Sequence, residues 1–266
     1  MVKASRVDIV TVAGLGLLLM PLLTLWHEVG GHAAACALQG GRVTEIGAFY
    51  ADCDGLAGLP RRIVALAGVG MNTLLALAAY ALWRRARGDF ARLLLWLVWV
   101  SQGFVAAGYF LFSGASGVGD LGPGADGGIG PLAHPDLWRA GEFLFGLLVY
   151  IWLVRSAIRG LTAMLGDSPA TKATRSTIAH GYYLVAGVAA VLTGLLNPVG
   201  LFILLMSAAA SSFGGLAGFI SIGFAVPRGT TETGFAVGRN WPLFATGAFA
   251  TLAFALILGP SIRFGA

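Results

Sequence analysis

Charge is the scarcest commodity in this chain. Only 11% of its 266 residues are Asp, Glu, Lys or Arg, against 57% hydrophobic, and the mean hydropathy is +0.82. That balance excludes a soluble globular domain and a disordered chain, and leaves a polytopic membrane protein. Long polar stretches are missing too. Arg84, Arg85, Arg87 and Arg92 separate the second and third apolar windows so closely that no soluble domain fits between them. Cysteine is limited to two residues, Cys36 inside the first apolar segment and Cys53 in the loop Asp52-Cys53-Asp54. Their different settings give no expectation of a disulfide framework and leave the redox compartment open. Acidic residues are outnumbered, giving a net charge of +5 and a pI of 9.6. In a soluble chain that surplus points to nucleic acid. Here the basic residues cluster at the ends of apolar segments, where they act as topology determinants, and no nucleic-acid partner is expected.

Apolar windows bounded by charge or Gly/Pro predict helices near 9–38, 63–83, 93–115, 141–163, 178–196, 199–226 and 242–259. The expected fold is an all-α polytopic membrane protein with seven helices, six being the alternative count, in one integral membrane domain over 1–266. Within it, 9–120 forms a three-helix candidate catalytic core and 141–259 an accessory set. Arg42-Val43-Thr44-Glu45-Ile46 alternates polar with apolar before the pattern fades, which admits a short strand or re-entrant hairpin between the first two helices. Such backbone is tolerated at membrane depth only beside protein or water. Residues 114–137 are Gly-rich, with Pro123, Pro131 and Pro135, and read as an irregular loop. The small residues from Ser207 to Gly215 read as close helix packing. Met1 to Arg6 followed by an apolar run has the form of a signal peptide, but removal near Ala33 to Ala35 would discard the polar motif it leads into. The run is therefore read as a retained first helix.

That motif is His27-Glu28-Val29-Gly30-Gly31-His32. Ionisable side chains inside an apolar span are costly, so they mark binding or chemistry. Two imidazoles and a carboxylate supply two nitrogen ligands for Zn²⁺ and a general base for the water it activates. The spacing departs from H-E-x-x-H. Histidines four apart lie about 40° around an α-helix, whereas His27 and His32, five apart, lie about 140° around it. A single π-type turn with i→i+5 pairing restores a common face, and Gly30-Gly31 is where the backbone yields most easily. The H-E-x-x-x-H form is similar to the zinc motif of the dipeptidyl peptidase III family. The plainer alternative has the His and Glu side chains bridging helices in a polar pocket. Asn72 lies near the middle of the second window, where its amide can hold a substrate backbone, a developing oxyanion or a neighbouring helix. The third window ends in Ser113-Gly114-Ala115-Ser116-Gly117-Val118-Gly119-Asp120. With helices alternating in direction, this end returns a carboxylate to the side that holds His27 and His32.

Taken together, His27-Glu28 with His32, the following Gly40-Gly41-Arg42-Val43, the Gly68-x-x-x-Asn72 segment and an acidic motif after the next helix resemble the site-2 protease group of intramembrane zinc metalloproteases. The resemblance covers about residues 20–128. It implies His27, His32 and a distant Asp as zinc ligands, Glu28 as general base and Asn72 as a substrate-binding residue. Three departures stand out: the longer His spacing, Val69 where the family has proline, and an ambiguous acidic motif. Asp126-Gly127-Gly128 matches the family's Asp-Gly by letter. Asp120 lies closer to the third helix and is the preferred ligand, with His134 as a substitute if neither carboxylate reaches.

The expected function is thus cleavage of peptide bonds in or near transmembrane segments by a multi-pass protein of the cell membrane. Its partners are the lipid bilayer and a membrane-protein or membrane-proximal substrate. The alternatives are a non-catalytic metal-binding scaffold or adaptor and, less favoured, a transporter. With seven alternating helices, the N-terminal side carries Lys3, Arg6, Arg84, Arg85, Arg87, Arg92, Arg155, Arg159, Lys172, Arg175, Arg228 and Arg239. The other side carries Arg42, Arg61, Arg62, Arg139 and Arg263. The positive-inside rule puts the first side in the cytoplasm. The motif end then faces away from it, opposite to what the resemblance implies.

Overall fold

Seven helices long and apolar enough to cross a membrane follow one another: α1 (Ile9–Leu38), α2 (Leu59–Trp83), α3 (Asp89–Ser116), α4 (Pro135–Leu165), α5 (Pro169–Gly194), α6 (Leu204–Phe224) and α7 (Trp241–Leu258). The computed structural model describes residues 5–225 and 228–265, so Lys3 lies outside the described residues. With about 69% of the chain helical, this is an all-α polytopic integral membrane protein. Several helices begin earlier than hydropathy predicts. Pro60, Pro135 and Pro169 sit in their first turns, where a missing N–H costs nothing. Arg61, Arg62, Arg92, Arg139 and Lys172 lie inside the helical segments rather than beyond them, since helical hydrogen bonding continues past the point where side chains become polar.

α1 packs against α2, α5 and α7, while α3 is sandwiched between α2 and α4. The core is aromatic where α3, α5 and α6 meet. Trp96 and Phe104 pack edge-on to Phe219, which also touches Tyr182, and all four side chains are fully buried. At the N-terminal side, β1 (Arg6–Val7) pairs in parallel with β4 (Ala236–Val237). At the other side, β2 (Arg42–Gly47) and β3 (Tyr50–Asp54) form an antiparallel hairpin with a register shift between Val43 and Glu45, which breaks the strict alternation. The hairpin left open by the sequence is therefore present. Its outer strand β5 (Ile262–Arg263), which pairs with β2, was not foreseen.

The expectation of no disulfide is overturned: Cys36 and Cys53 are bonded, with Cα atoms 5.9 Å apart. Cys36 occupies the last turn of α1, and the hairpin folds back so that Cys53, opposite Val43, returns to it. The two settings differ in secondary structure and coincide in space.

Glu45 ties the third strand to the hairpin. Its Oε1 accepts from the Tyr50 hydroxyl (2.6 Å) and the Ser261 hydroxyl (2.5 Å), and Oε2 from Arg263 Nε (3.0 Å). The Ser261 and Tyr50 hydrogen bonds hold its carboxyl below the ordinary carboxylate range. A carboxyl lowered in the folded state stabilises above the unfolded value of about 4.3 and loses that contribution as pH falls through it towards the folded value. Acidification from about pH 6 to about pH 3 is expected to lower the protection of the β5 amides, measured as observed exchange against the intrinsic rate at each pH, before the helices respond. In Glu45→Gln, β5 is expected to show low protection at both values.

Candidate metal centre

The extra residue of the His-Glu motif is absorbed where it stands. Ile9–His27 is regular α-helix, Glu28–Ala33 is a π-helical turn, and Ala34–Leu38 is α-helix again. The i→i+5 pairing brings the two histidines to one face, edge to face with ring centroids 4.8 Å apart, and His27 Nε2 lies 3.1 Å from His32 Nε2. Gly31 serves the crossing with α2, since a methyl on it would lie 2.7 Å from the Gly68 Cα. Gly68 in turn clears the space the rings occupy, because a methyl there would overlap both imidazoles.

The loop after α3 brings the acidic member. Asp120 Oδ2 is 3.3 Å from His27 Nε2 and 3.3 Å from His32 Nε2, yet makes no hydrogen bond to either. His32 Nδ1 lies 2.8 Å from the Val64 carbonyl. A carbonyl only accepts, so Nδ1 carries the proton and Nε2 presents a bare lone pair. With His27 in the same tautomer, three electron-rich atoms face one another at 3.1–3.3 Å. One proton can bridge at most two of them, whereas one cation satisfies all three. A tetrahedral Zn²⁺ with bonds of about 2.0–2.1 Å separates its ligands by about 3.3–3.4 Å. The donor triangle fits that group, and the set of two nitrogens and one oxygen is a zinc set.

Glu28 is buried beside the triangle, with a carboxylate oxygen within 4.8 Å of the histidine donors. A cavity of about 390 Å³ opens in front of them, walled by Asp120, Tyr109, Tyr50 to Cys53 of the hairpin and Ser207 and Ser211 of α6. The other residues singled out in the sequence lie elsewhere. Asp126 is exposed, and neither it nor His134 lines this cavity. Asn72 is buried on α2 but faces a second, smaller cavity, with neither amide atom hydrogen-bonded.

Tyr109 was missed. Its ring stacks on His27 with centroids 5.0 Å apart, and its hydroxyl lies 3.0 Å from His27 Nε2. The available signal was periodicity within α3, where Gln102 and Tyr109 are seven residues apart and thus on one face of an otherwise apolar helix.

No protein-family model matches this chain, and no curated protein or solved structure is significantly similar to it. The assignment of a candidate metal site therefore rests on the geometry of the side chains alone. Gly68→Ala is expected to displace both imidazoles and lower zinc occupancy at least tenfold, measured by elemental analysis of purified protein, while far-UV circular dichroism keeps its helical signal.

Proposed function

We propose that this protein is an intramembrane zinc metalloprotease that hydrolyses peptide bonds in or near transmembrane segments. One observation carries the reading. Asp120 completes a triangle of donors at 3.1–3.3 Å with His27 and His32, while Glu28, whose carboxylate lies within 4.8 Å of the histidines and could itself ligate, stands on the same cavity wall and is read as the base.

His27, His32 and Asp120 would hold the zinc, which supplies Lewis acidity towards a carbonyl and lowers the pKa of water. Glu28 takes the proton from the attacking water and delivers it to the amine as the C–N bond breaks. Its closeness to the imidazoles suits that role, because a base needs a partner within reach and no competing hydrogen bond. Val64 fixes the His32 tautomer through Nδ1, the arrangement that keeps a metal-binding imidazole oriented. Tyr109 presents a hydroxyl to the same space and can donate to an oxygen that gains negative charge there. The substrate must be locally unwound, since an intact helix hides its amides. Glu28→Gln is expected to keep zinc and slow cleavage of a model transmembrane substrate at least about a hundredfold. Asp120→Asn loses zinc, and Asp126→Asn changes neither. Unchanged cleavage by Glu28→Gln removes it from the mechanism, and wild-type protein without stoichiometric zinc favours a non-catalytic scaffold.

The cavity opens away from the cytoplasm in this reading, for two independent reasons. Basic residues favour the N-terminal side, as counted above. The Cys36–Cys53 bond lies on the other side, and disulfides persist in oxidising compartments. Ala125→Cys, in the loop that carries Asp120, is expected to react with a membrane-impermeant maleimide in intact cells. Arg87→Cys, between α2 and α3, is expected to react only after permeabilisation. Both replaced residues are exposed, and the native cysteines are unreactive while bonded. The reverse labelling pattern would put the cavity mouth in the cytoplasm.

A further inference from the structure

α2 contributes Arg61, Val64 and Ala65 to the wall of the cavity in front of the metal centre. The same stripe continues to Gly68, where a methyl would overlap both imidazoles, so these four residues follow the i, i+3, i+4, i+7 pattern of one helix face. Arg61 therefore stands two turns along α2 from the donors, about 10 Å at 1.5 Å per residue. It lies in the first turn of the span, two residues after Leu59, where the apolar stretch meets water. Four of the five basic residues on this side of the protein are already engaged. Arg42 faces Asp54 at 4.0 Å, Arg62 donates to the Pro131 carbonyl (3.1 Å), Arg139 to the Gly114 and Ala115 carbonyls (3.2 and 2.6 Å) and Arg263 to Glu45 (3.0 Å). Arg61 is exposed and, among the described residues, has neither an ion pair nor a side-chain hydrogen bond. Asp52 of the hairpin lines the same cavity without pairing with it. The one unengaged cation of this side thus belongs to the cavity that holds the reacting groups.

We propose that Arg61 is the specificity-determining residue of the cavity mouth, reading a carboxylate that the substrate carries just outside its apolar span. The proposal rests on the protease reading and adds the substrate class to it. Chemistry and position select the occupant together. A guanidinium presents a planar fork of donors that a carboxylate matches with two parallel hydrogen bonds, whereas a carboxamide matches it without charge and an ammonium is repelled. Position sets the register. An unwound peptide advances about 3.3 Å per residue, so the 10 Å or so between Arg61 and the metal donors corresponds to about three residues from the bond that is cut. An acidic residue there stays at the water edge of the membrane while the bond reaches the buried donors, which spares the substrate the cost of carrying a charge into lipid. The carboxylate can come from an Asp or Glu side chain or from the end of a chain, and the test separates these sources. Exposed arginines at span ends also act as topology determinants without binding anything, and the test separates that outcome too.

The probe is a peptide with one apolar span of about 20 residues and an amidated C-terminus, in which a single Asp, Asn or Lys is moved through the residues at the edge of the span. Binding is measured on full-length Glu28→Gln protein and cleavage on wild type. The expected result is one register at which Asp binds at least about threefold more tightly than Asn, and Lys more weakly than either. Arg61→Gln brings the Asp to Asn ratio to about one, and Arg61→Glu makes Lys the preferred residue at that register. Arg62→Gln, which removes a cation that does not line the cavity, keeps the Asp preference. A second set of peptides, apolar up to that register and ending there in a free carboxylate or a carboxamide, identifies the source. A gain for the free end that Arg61→Gln abolishes assigns a chain terminus, and a gain for internal Asp alone assigns a side chain. Equal binding of all peptides at every register overturns the proposal and leaves Arg61 as a topology determinant. A preference that survives Arg61→Gln, that is lost in Arg62→Gln, or that favours Lys in the presence of Arg61 also overturns it. The two readings fail separately. Wild-type cleavage without any charge preference sinks only the role of Arg61, and carboxylate-selective binding that Arg61→Glu reverses, without cleavage by wild type, sinks the protease reading.

Discussion

Five residues separate two imidazoles whose Nε2 atoms lie 3.1 Å apart, and that close approach shapes the centre of the molecule. A regular α-helix would place them about 140° apart, and six residues adopt π-helical pairing instead, with α2 packed closely against the widened turn. Gly68 makes the cover possible. Without side chains at Gly31 and Gly68, α2 approaches α1 at backbone distance and leaves the imidazoles the space that a β-carbon would fill. The same approach carries the Val64 carbonyl to His32 and buries Asn72 beside the second, smaller cavity. Closing the group then needs only the loop after α3, because a third helix running parallel to the first ends on the side where the histidines wait.

Much of this was legible before any coordinates. Hydropathy gave the seven spans because membrane helices must satisfy their own backbone and expose apolar side chains, and that demand is written in composition. The π turn followed from counting residues between the two histidines, and the return of Asp120 from counting helix directions. What escaped depends on contacts between segments far apart in sequence. Cys36 and Cys53 look unrelated until the hairpin folds over the end of α1. Ser261 and Arg263 gain meaning only when Glu45 accepts from both. Tyr109 and Gln102 were readable in principle as one polar stripe on α3, yet a single tyrosine or glutamine in a membrane helix is unremarkable until its stripe is seen to border a cavity.

The two small sheets divide the labour of the termini. On one side β1 and β4 bring the start of the chain to the segment before α7, and Ser5 adds a hydrogen bond from its hydroxyl to the Leu165 carbonyl. Arg175 lies almost fully buried there, donating to the Gly166 carbonyl and to the hydroxyls of Thr162 and Thr171, so its charge is shared among oxygens instead of facing lipid. On the other side the three-stranded sheet borders the cavity and contributes Tyr50 to Cys53 to its wall. The helices between are thereby pinned at both ends while the centre keeps its cavities.

One covalent link joins the cavity wall to the helix that bears the His-Glu motif. Cys36 follows His32 by a single helical turn, and its sulfur is bonded to β3, so the hairpin and the histidine-bearing segment move as one body. Any force on the hairpin is therefore carried through a single covalent bond to the helical turn next to His32.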